Sequence, residues 1–198
     1  MPVPQTSFFR FAGSMIALGI IADTHIPDRK RTLHPEVLPL FRDAGLDAIL
    51  HAGDVSVPRV LEELGDIAPV YAVRGNRDLW RLGHLPLFLE LEFGGVPILL
   101  THGQGRWWNY LAGKAQYLIY GLQPERYKRR LVQAFPHARV IIFGHLHLPI
   151  NDWVNDQLIF NPGTACCPDR NSLPPSVGFL RVHAGGIIES EIVYLKEG

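Results

Sequence analysis

Short apolar runs rich in Val, Ile and Leu recur along the chain, and a small polar cluster closes many of them. Met15–Ala22, Asp47–Ala52, Pro69–Val73, Val96–Thr101 and Arg139–Phe143 read as buried strands, because each is short, apolar and bounded by turn residues. Between the first three, Pro35–Ala44 and Pro58–Leu64 read as helices. Proline stands early in each, and Gly45 and Gly65 follow as natural stops. This strand–helix rhythm predicts right-handed crossovers and a largely parallel sheet. Leu87–Phe93, Gly94-Gly95 and Val96–Thr101 read as a hairpin. Pro124–Phe135 reads as a helix with Glu125, Arg126, Lys128, Arg129 and Arg130 on its wet side. The last third reads as strands only. Trp153-Val154 and Leu158–Phe160 flank a turn at Asn155-Asp156-Gln157, and Val177–Val182 and Ile187–Tyr194 flank Ala184-Gly185-Gly186. The expectation is a single α/β domain over residues 15–198, with two sheets covered by helices. Met1–Ser14 is expected to be an extension without structure of its own.

The clusters that close the strands carry the chemistry. They are Asp23-Thr24-His25, Gly53-Asp54, Gly75-Asn76, His102-Gly103 and Gly144-His145-Leu146-His147. In an open α/β sheet the carboxyl ends of the strands share one edge, where ligands bind. Two Asp, one Asn and four His would therefore meet. That nitrogen and oxygen set is too large for one divalent ion. Asp23 with His25, and His145 with His147, stand two residues apart and can reach one ion together. Gly53 lets the chain turn sharply before Asp54. A carboxylate has two oxygens and can bridge two cations. Imidazole favours Mn, Fe, Zn, Ni or Co over Mg. Two such ions hold a water that is nucleophilic at neutral pH and polarise a phosphoryl oxygen.

Composition narrows the choice. Hydrophobic residues make up 47% of 198, which fits one packed domain. With 19 basic and 19 acidic residues the formal charge is zero. That argues against general binding to nucleic acid or an anionic membrane, while leaving room for a local basic patch. Cys166 and Cys167 are adjacent, a poor geometry for a disulfide, so a secreted disulfide scaffold is not expected. No run reaches the roughly 18 apolar residues of a membrane span. A cytoplasmic soluble protein is the expectation.

In order and context the five clusters resemble the pattern of calcineurin-like metallophosphoesterases: D-x-H, G-D, G-N-x-D/E, H and G-H-x-H. The Thr101-His102-Gly103 and Asn161-Pro162-Gly163-Thr164 motifs resemble the small prokaryotic phosphodiesterase branch, itself related to the retromer subunit with a phosphoesterase fold. The resemblance implies a two-sheet β-sandwich flanked by helices. It implies one metal on Asp23, His25, Asp54 and His147, and a second on Asp54, Asn76, His102 and His145, with Mn the first expectation. It further implies in-line attack of a metal-bridging hydroxide on a small phosphate ester, most simply a phosphodiester. Asp54, Asn76, Arg77 and His102 stand as the catalytic group.

One position departs from the family. Many members carry His after the Asn, where it meets the phosphate and can act as an acid. Arg77 stands there in this chain. A guanidinium stays protonated, so it can clamp a phosphate oxygen but cannot serve as a general acid. Asp78 is read either as a partner of Arg77 or as an acceptor orienting a ligand imidazole. Asn161 and Thr164 either hydrogen-bond near the site or form a plain turn. His51 is read as structural, and His34, His84, His137 and His183 carry no assignment. Trp107–Tyr120 could be a lid, a base-stacking wall or a surface for homo-oligomers. Two other functions stay open beside the esterase, a catalytically weak protein-binding scaffold of the same fold and a nuclease.

Overall fold

The apolar runs become strands of two sheets packed face to face. The structure, a computed structural model, describes residues 6–9, 15–103, 124–166 and 173–196. Strands β1 (Thr6–Phe9), β5 (Phe88–Phe93), β6 (Val96–Thr101), β7 (Val140–Phe143), β8 (Ile150–Val154) and β9 (Gln157–Asn161) form one sheet in the order β1-β5-β6-β7-β9-β8. Strands β2 (Met15–Ile21), β3 (Ala48–His51), β4 (Val70–Ala72), β10 (Ser176–His183) and β11 (Ile188–Tyr194) form the other, ordered β11-β10-β2-β3-β4. Both sheets are mixed. β2, β3 and β4 run parallel, as the strand–helix rhythm predicts, and β10 and β11 extend them antiparallel. Thr6–Phe9, inside the stretch expected to be an unstructured extension, pairs in parallel with β5.

Three apolar layers hold the sheets. Alternate residues of β2, β3, β6 and β7, among them Leu18, Ile20, Leu50, Leu100 and Ile142, meet between the sheets with Phe93 and Phe160. The opposite faces of β2, β3 and β10 pack through Ile21, Ile49 and Phe179 against α1 (Val37–Asp43) and α2 (Pro58–Gly65), which contribute Phe41 and Leu64. Helix α3 (Pro124–Ala134) sets Leu131 against Leu99, Ile141 and Ile159 on the far side of the other sheet. Strands buried on both faces must be apolar throughout, which is why these runs do not alternate. Helix α1 begins later than the Pro35 start, and β8 and β9 are longer than the runs read from the sequence.

Register places the strand ends in line. Ile21 pairs with His51 and His51 with Ala72, while Thr101 pairs with Phe143 across the other sheet. The residues that follow leave both sheets at the same edge. Among the described residues, no helix is long and apolar enough to cross a membrane.

Candidate metal centre

Where the strands end, the backbone takes conformations that side-chain-bearing residues avoid. Asp23, His25, Asp54, His145 and His147 all have positive φ, between 49° and 69°. Each such residue costs on the order of 1 kcal/mol, so their concentration at one edge marks strain held by the surrounding fold. The loops are stitched by main-chain bonds, Asp23 N–H to the Gly53 carbonyl at 3.0 Å and His25 N–H to the Asp54 carbonyl at 3.1 Å. Glycine precedes Asn76 and His145 because nothing larger fits. A Cβ on Gly75 would lie 2.1 Å from Asp54 Oδ1, and one on Gly144 would lie 2.7 Å from the Ala52 carbonyl.

Two groups of donors result. In the first, His25 Nε2 and His147 Nε2 stand 3.0 Å apart. Asp23 Oδ1 is 3.3 Å from His147 Nε2 and 3.8 Å from His25 Nε2, and Asp54 Oδ2 is also 3.8 Å from His25 Nε2. In the second, His102 Nε2 lies 3.5 Å from Asp54 Oδ1 and 3.1 Å from Asn76 Oδ1. The ring of His145 sits 5.1 Å from that of His102, and the main-chain N–H of His145 donates to Asp23 Oδ2 at 2.9 Å. The structure thus brings together all seven side chains read from the sequence, with Asp54 offering one oxygen to each group. Asp23, Asp54 and His102 also offer atoms within 4.8 Å of one another, so Asp23 approaches both groups.

The arrangement fits cations on two observations. Asp23 Oδ1 is buried and accepts no hydrogen bond among the described residues. A buried carboxylate oxygen without a donor is costly unless a cation takes its place. His102 Nδ1 contacts the Ala52 carbonyl at 2.8 Å, which can only accept, so the proton sits on Nδ1. With Nδ1 so engaged, Nε2 is the atom turned toward Asp54 Oδ1 and Asn76 Oδ1, and in that tautomer it offers them a lone pair. Two acceptors face each other there, the relation a metal ion resolves.

Electrostatics follow from burial. Burial lowers the imidazoles of His25 and His145 to about 4, so both are neutral and free to donate lone pairs near pH 7. Burial raises the Asp54 carboxyl to about 6, with Asp23 and Asp78 adding to the effect against His102 and the Arg77 N–H. Burial also raises Asp23, but the neighbouring His147, His102 and His25 outweigh it and hold this carboxyl below the usual range.

The surrounding layer departs from the sequence reading at Asp78. Asp78 pairs neither with Arg77 nor with a ligand imidazole. Its oxygens accept the N–H groups of Ser56 and Gly75, each at 2.7 Å, and so tie the two loops that carry Asp54 and Asn76. It takes this role because both N–H groups are buried and need acceptors. The Arg77 N–H donates to Asp54 Oδ1 at 2.8 Å, and its half-exposed guanidinium reaches Asp28 at 3.9 Å. His51 is structural, as read. Its Nδ1 accepts from Gly53 N–H at 3.2 Å, leaving Nε2–H for the Thr24 hydroxyl at 3.3 Å. Asn161 donates to the Gly144 carbonyl and Thr164 to the Asp23 carbonyl, both at 2.9 Å, so the Asn-Pro-Gly-Thr turn braces the site. Tyr127 is not among the residues singled out from the sequence, yet its hydroxyl donates from α3 to the Gly103 carbonyl beside His102. The Trp107–Tyr120 stretch lies outside the described residues.

Comparison with known proteins bears on this geometry. Residues 16–185 match the calcineurin-like phosphoesterase superfamily domain. A probable metallophosphoesterase of Methanothermobacter thermautotrophicus is 36% identical over 177 residues, covering 89% of this chain and 91% of its own length. A phosphodiesterase of Methanocaldococcus jannaschii is 25% identical over 178 residues, covering 82% of this chain and 91% of its own. Vacuolar Protein Sorting 29 from Cryptosporidium parvum has a similar fold, with a TM-score of 0.70 at 19% identity, over 93% of this chain and 100% of that one.

Proposed function

Since the chain belongs to the calcineurin-like phosphoesterase superfamily and is a metal-dependent phosphoesterase, we propose that it works as a dinuclear phosphodiesterase on a small phosphate ester. The observation that carries the dinuclear reading is Asp54, which turns Oδ2 toward His25 and Oδ1 toward His102. Asp23, His25, Asp54 and His147 would hold one divalent cation, and Asp54, Asn76, His102 and His145 the other. The mixture of imidazole, carboxylate and amide donors is compatible with Mn, Fe, Zn, Ni and Co, and Mn is the first expectation on the resemblance to the family. When bound, such a pair supplies an activated water and polarises the phosphoryl oxygen.

The chain's own residues do the positioning. The Ala52 carbonyl fixes the tautomer of His102, and the Arg77 N–H fixes the rotation of the Asp54 carboxylate. The Arg77 guanidinium, which among the described residues makes a long contact to exposed Asp28, is available to clamp a phosphate oxygen. It cannot deliver a proton to the leaving group. The preference for diesters rests on the relatives named phosphodiesterases.

Hydrolysis of bis(p-nitrophenyl) phosphate and p-nitrophenyl phosphate tests this reading. The expected result is turnover of the diester above the monoester, abolished by EDTA and restored by Mn. Full turnover after removal of all metal would contradict it.

A further inference from the structure

Two loops at the edge where the strand ends meet carry charge that the neutral chain as a whole does not. Residues 27–32 are exposed throughout and include Arg29, Lys30 and Arg31 against the single acid Asp28. Arg29 N–H donates to the carbonyl of His25 at 2.9 Å, so this loop starts at the first donor group. The second loop follows Asn76. Its exposed charges are Arg77 and Arg81, because its one acid, Asp78, is buried on backbone N–H groups. Arg77 bridges the loops through Asp28.

Trp80 belongs to the same loop, four residues after Asn76, and is 96% exposed. Its Cα therefore lies within roughly 14 Å of the Asn76 Cα by chain length alone. The loop is firmly held. Arg74 N–H donates to the Pro86 carbonyl and the Arg74 guanidinium to the Gly83 carbonyl, each at 2.8 Å. Leu82 N–H donates to the Asp78 carbonyl at 2.9 Å, and the Leu82 side chain is buried. A braced loop that leaves a whole indole in water forgoes the burial such a side chain normally gains. Exposed aromatics set among basic residues are a recurring means of binding bases through their faces and phosphates through their charge.

We propose that Trp80 with Arg29 and Arg77 forms a rim that selects phosphodiesters carrying a nucleoside, the indole stacking on the base. The proposal rests on the phosphodiesterase reading above and names its substrate class. The neutral chain lacks the broad positive field that a nucleic-acid polymer requires, so a nucleotide-sized diester is the match.

Two substrates with the same leaving group isolate the rim: p-nitrophenyl thymidine 5′-phosphate and p-nitrophenyl methyl phosphate. The readout is the ratio of their kcat/KM values, in which any general loss of activity cancels. The native enzyme is expected to prefer the thymidine ester by about 5- to 150-fold, the range of base–aromatic stacking. Trp80→Ala should bring the ratio close to one, and Trp80→Phe should restore much of it. A native ratio near one, or a ratio that survives Trp80→Ala, overturns the proposal. Thymidine monophosphate titrated into EDTA-treated protein gives a reading independent of turnover. Fluorescence quenching that Trp80→Phe removes supports the rim even if neither ester is hydrolysed, and that second result would count against the esterase reading alone. Quenching that persists in Trp80→Phe contradicts the rim.

Discussion

Nε2 of His25 and Nε2 of His147 face each other at 3.0 Å across the junction of the two sheets. One nitrogen belongs to the loop after β2 and the other to the loop after β7, so neither local sequence could create the contact. Both converge on Asp23 Oδ1, which lacks a hydrogen-bond donor among the described residues. His147→Ala should therefore weaken divalent-cation binding by on the order of 100-fold while leaving the circular dichroism spectrum unchanged. Titration of Mn into the metal-free variant, followed calorimetrically, checks this.

Acidity should destabilise the metal-free protein. Burial lowers His25, His51 and His145 to about 4 from an ordinary 6.5. Below 6.5 the unfolded chain takes up protons that the folded chain refuses, so the stability present above 6.5 is lost as pH falls toward 4. Asp54, raised by burial to about 6 from 3.8, acts in the opposite sense within that window. Three imidazoles outweigh one carboxyl. The Tm of EDTA-treated protein should fall steadily from pH 7 to pH 4.5, and a flat profile would contradict this balance.

Tyr127 should matter to turnover without touching the donors. Tyr127→Phe keeps the ring against Phe143 and removes the hydrogen bond to the Gly103 carbonyl. The expected stability loss is about 1 kcal/mol, roughly 2–4 °C in Tm for a chain of this size. kcat should fall several-fold with KM little changed, because the loop carrying His102 loses its anchor. Steady-state kinetics beside a thermal melt separate the two effects.

Arg77 predicts a steep dependence on the leaving group. It can stabilise charge on the phosphate but cannot protonate a departing alkoxide. Among diesters of rising leaving-group pKa, kcat/KM should fall steeply. Arg77→Ala should lower every rate by a similar factor without changing the slope. A flat series would reveal a proton donor elsewhere.

The sequence made the strands and the donor set legible for one reason. Short apolar runs ending in Asp, Asn or His report at once a buried strand and a residue at its carboxyl end. The pairing Ile21–His51–Ala72, which aligns three of those ends, follows from parallel connection. What stayed hidden depends on partners distant in sequence. Asp78 could be expected to seek a cation or an imidazole, yet the buried N–H groups of Ser56 and Gly75 claim it. Tyr127 sits on an amphipathic helix where an aromatic residue reads as core, and only the packing of α3 brings its hydroxyl to Gly103. The pairing of Thr6–Phe9 with β5 was equally invisible, because the Phe8-Phe9-Arg10-Phe11 stretch carries no turn signal linking it to a partner strand.

Metal stoichiometry of Asp54→Asn tests the dinuclear reading most directly. Elemental analysis of Mn-saturated native protein should give two ions per chain. The variant should retain at most one and should lose chelator-sensitive diesterase activity. A saturated native protein holding a single ion, or an Asp54→Asn variant that keeps both ions and full turnover, would contradict a centre built across this carboxylate.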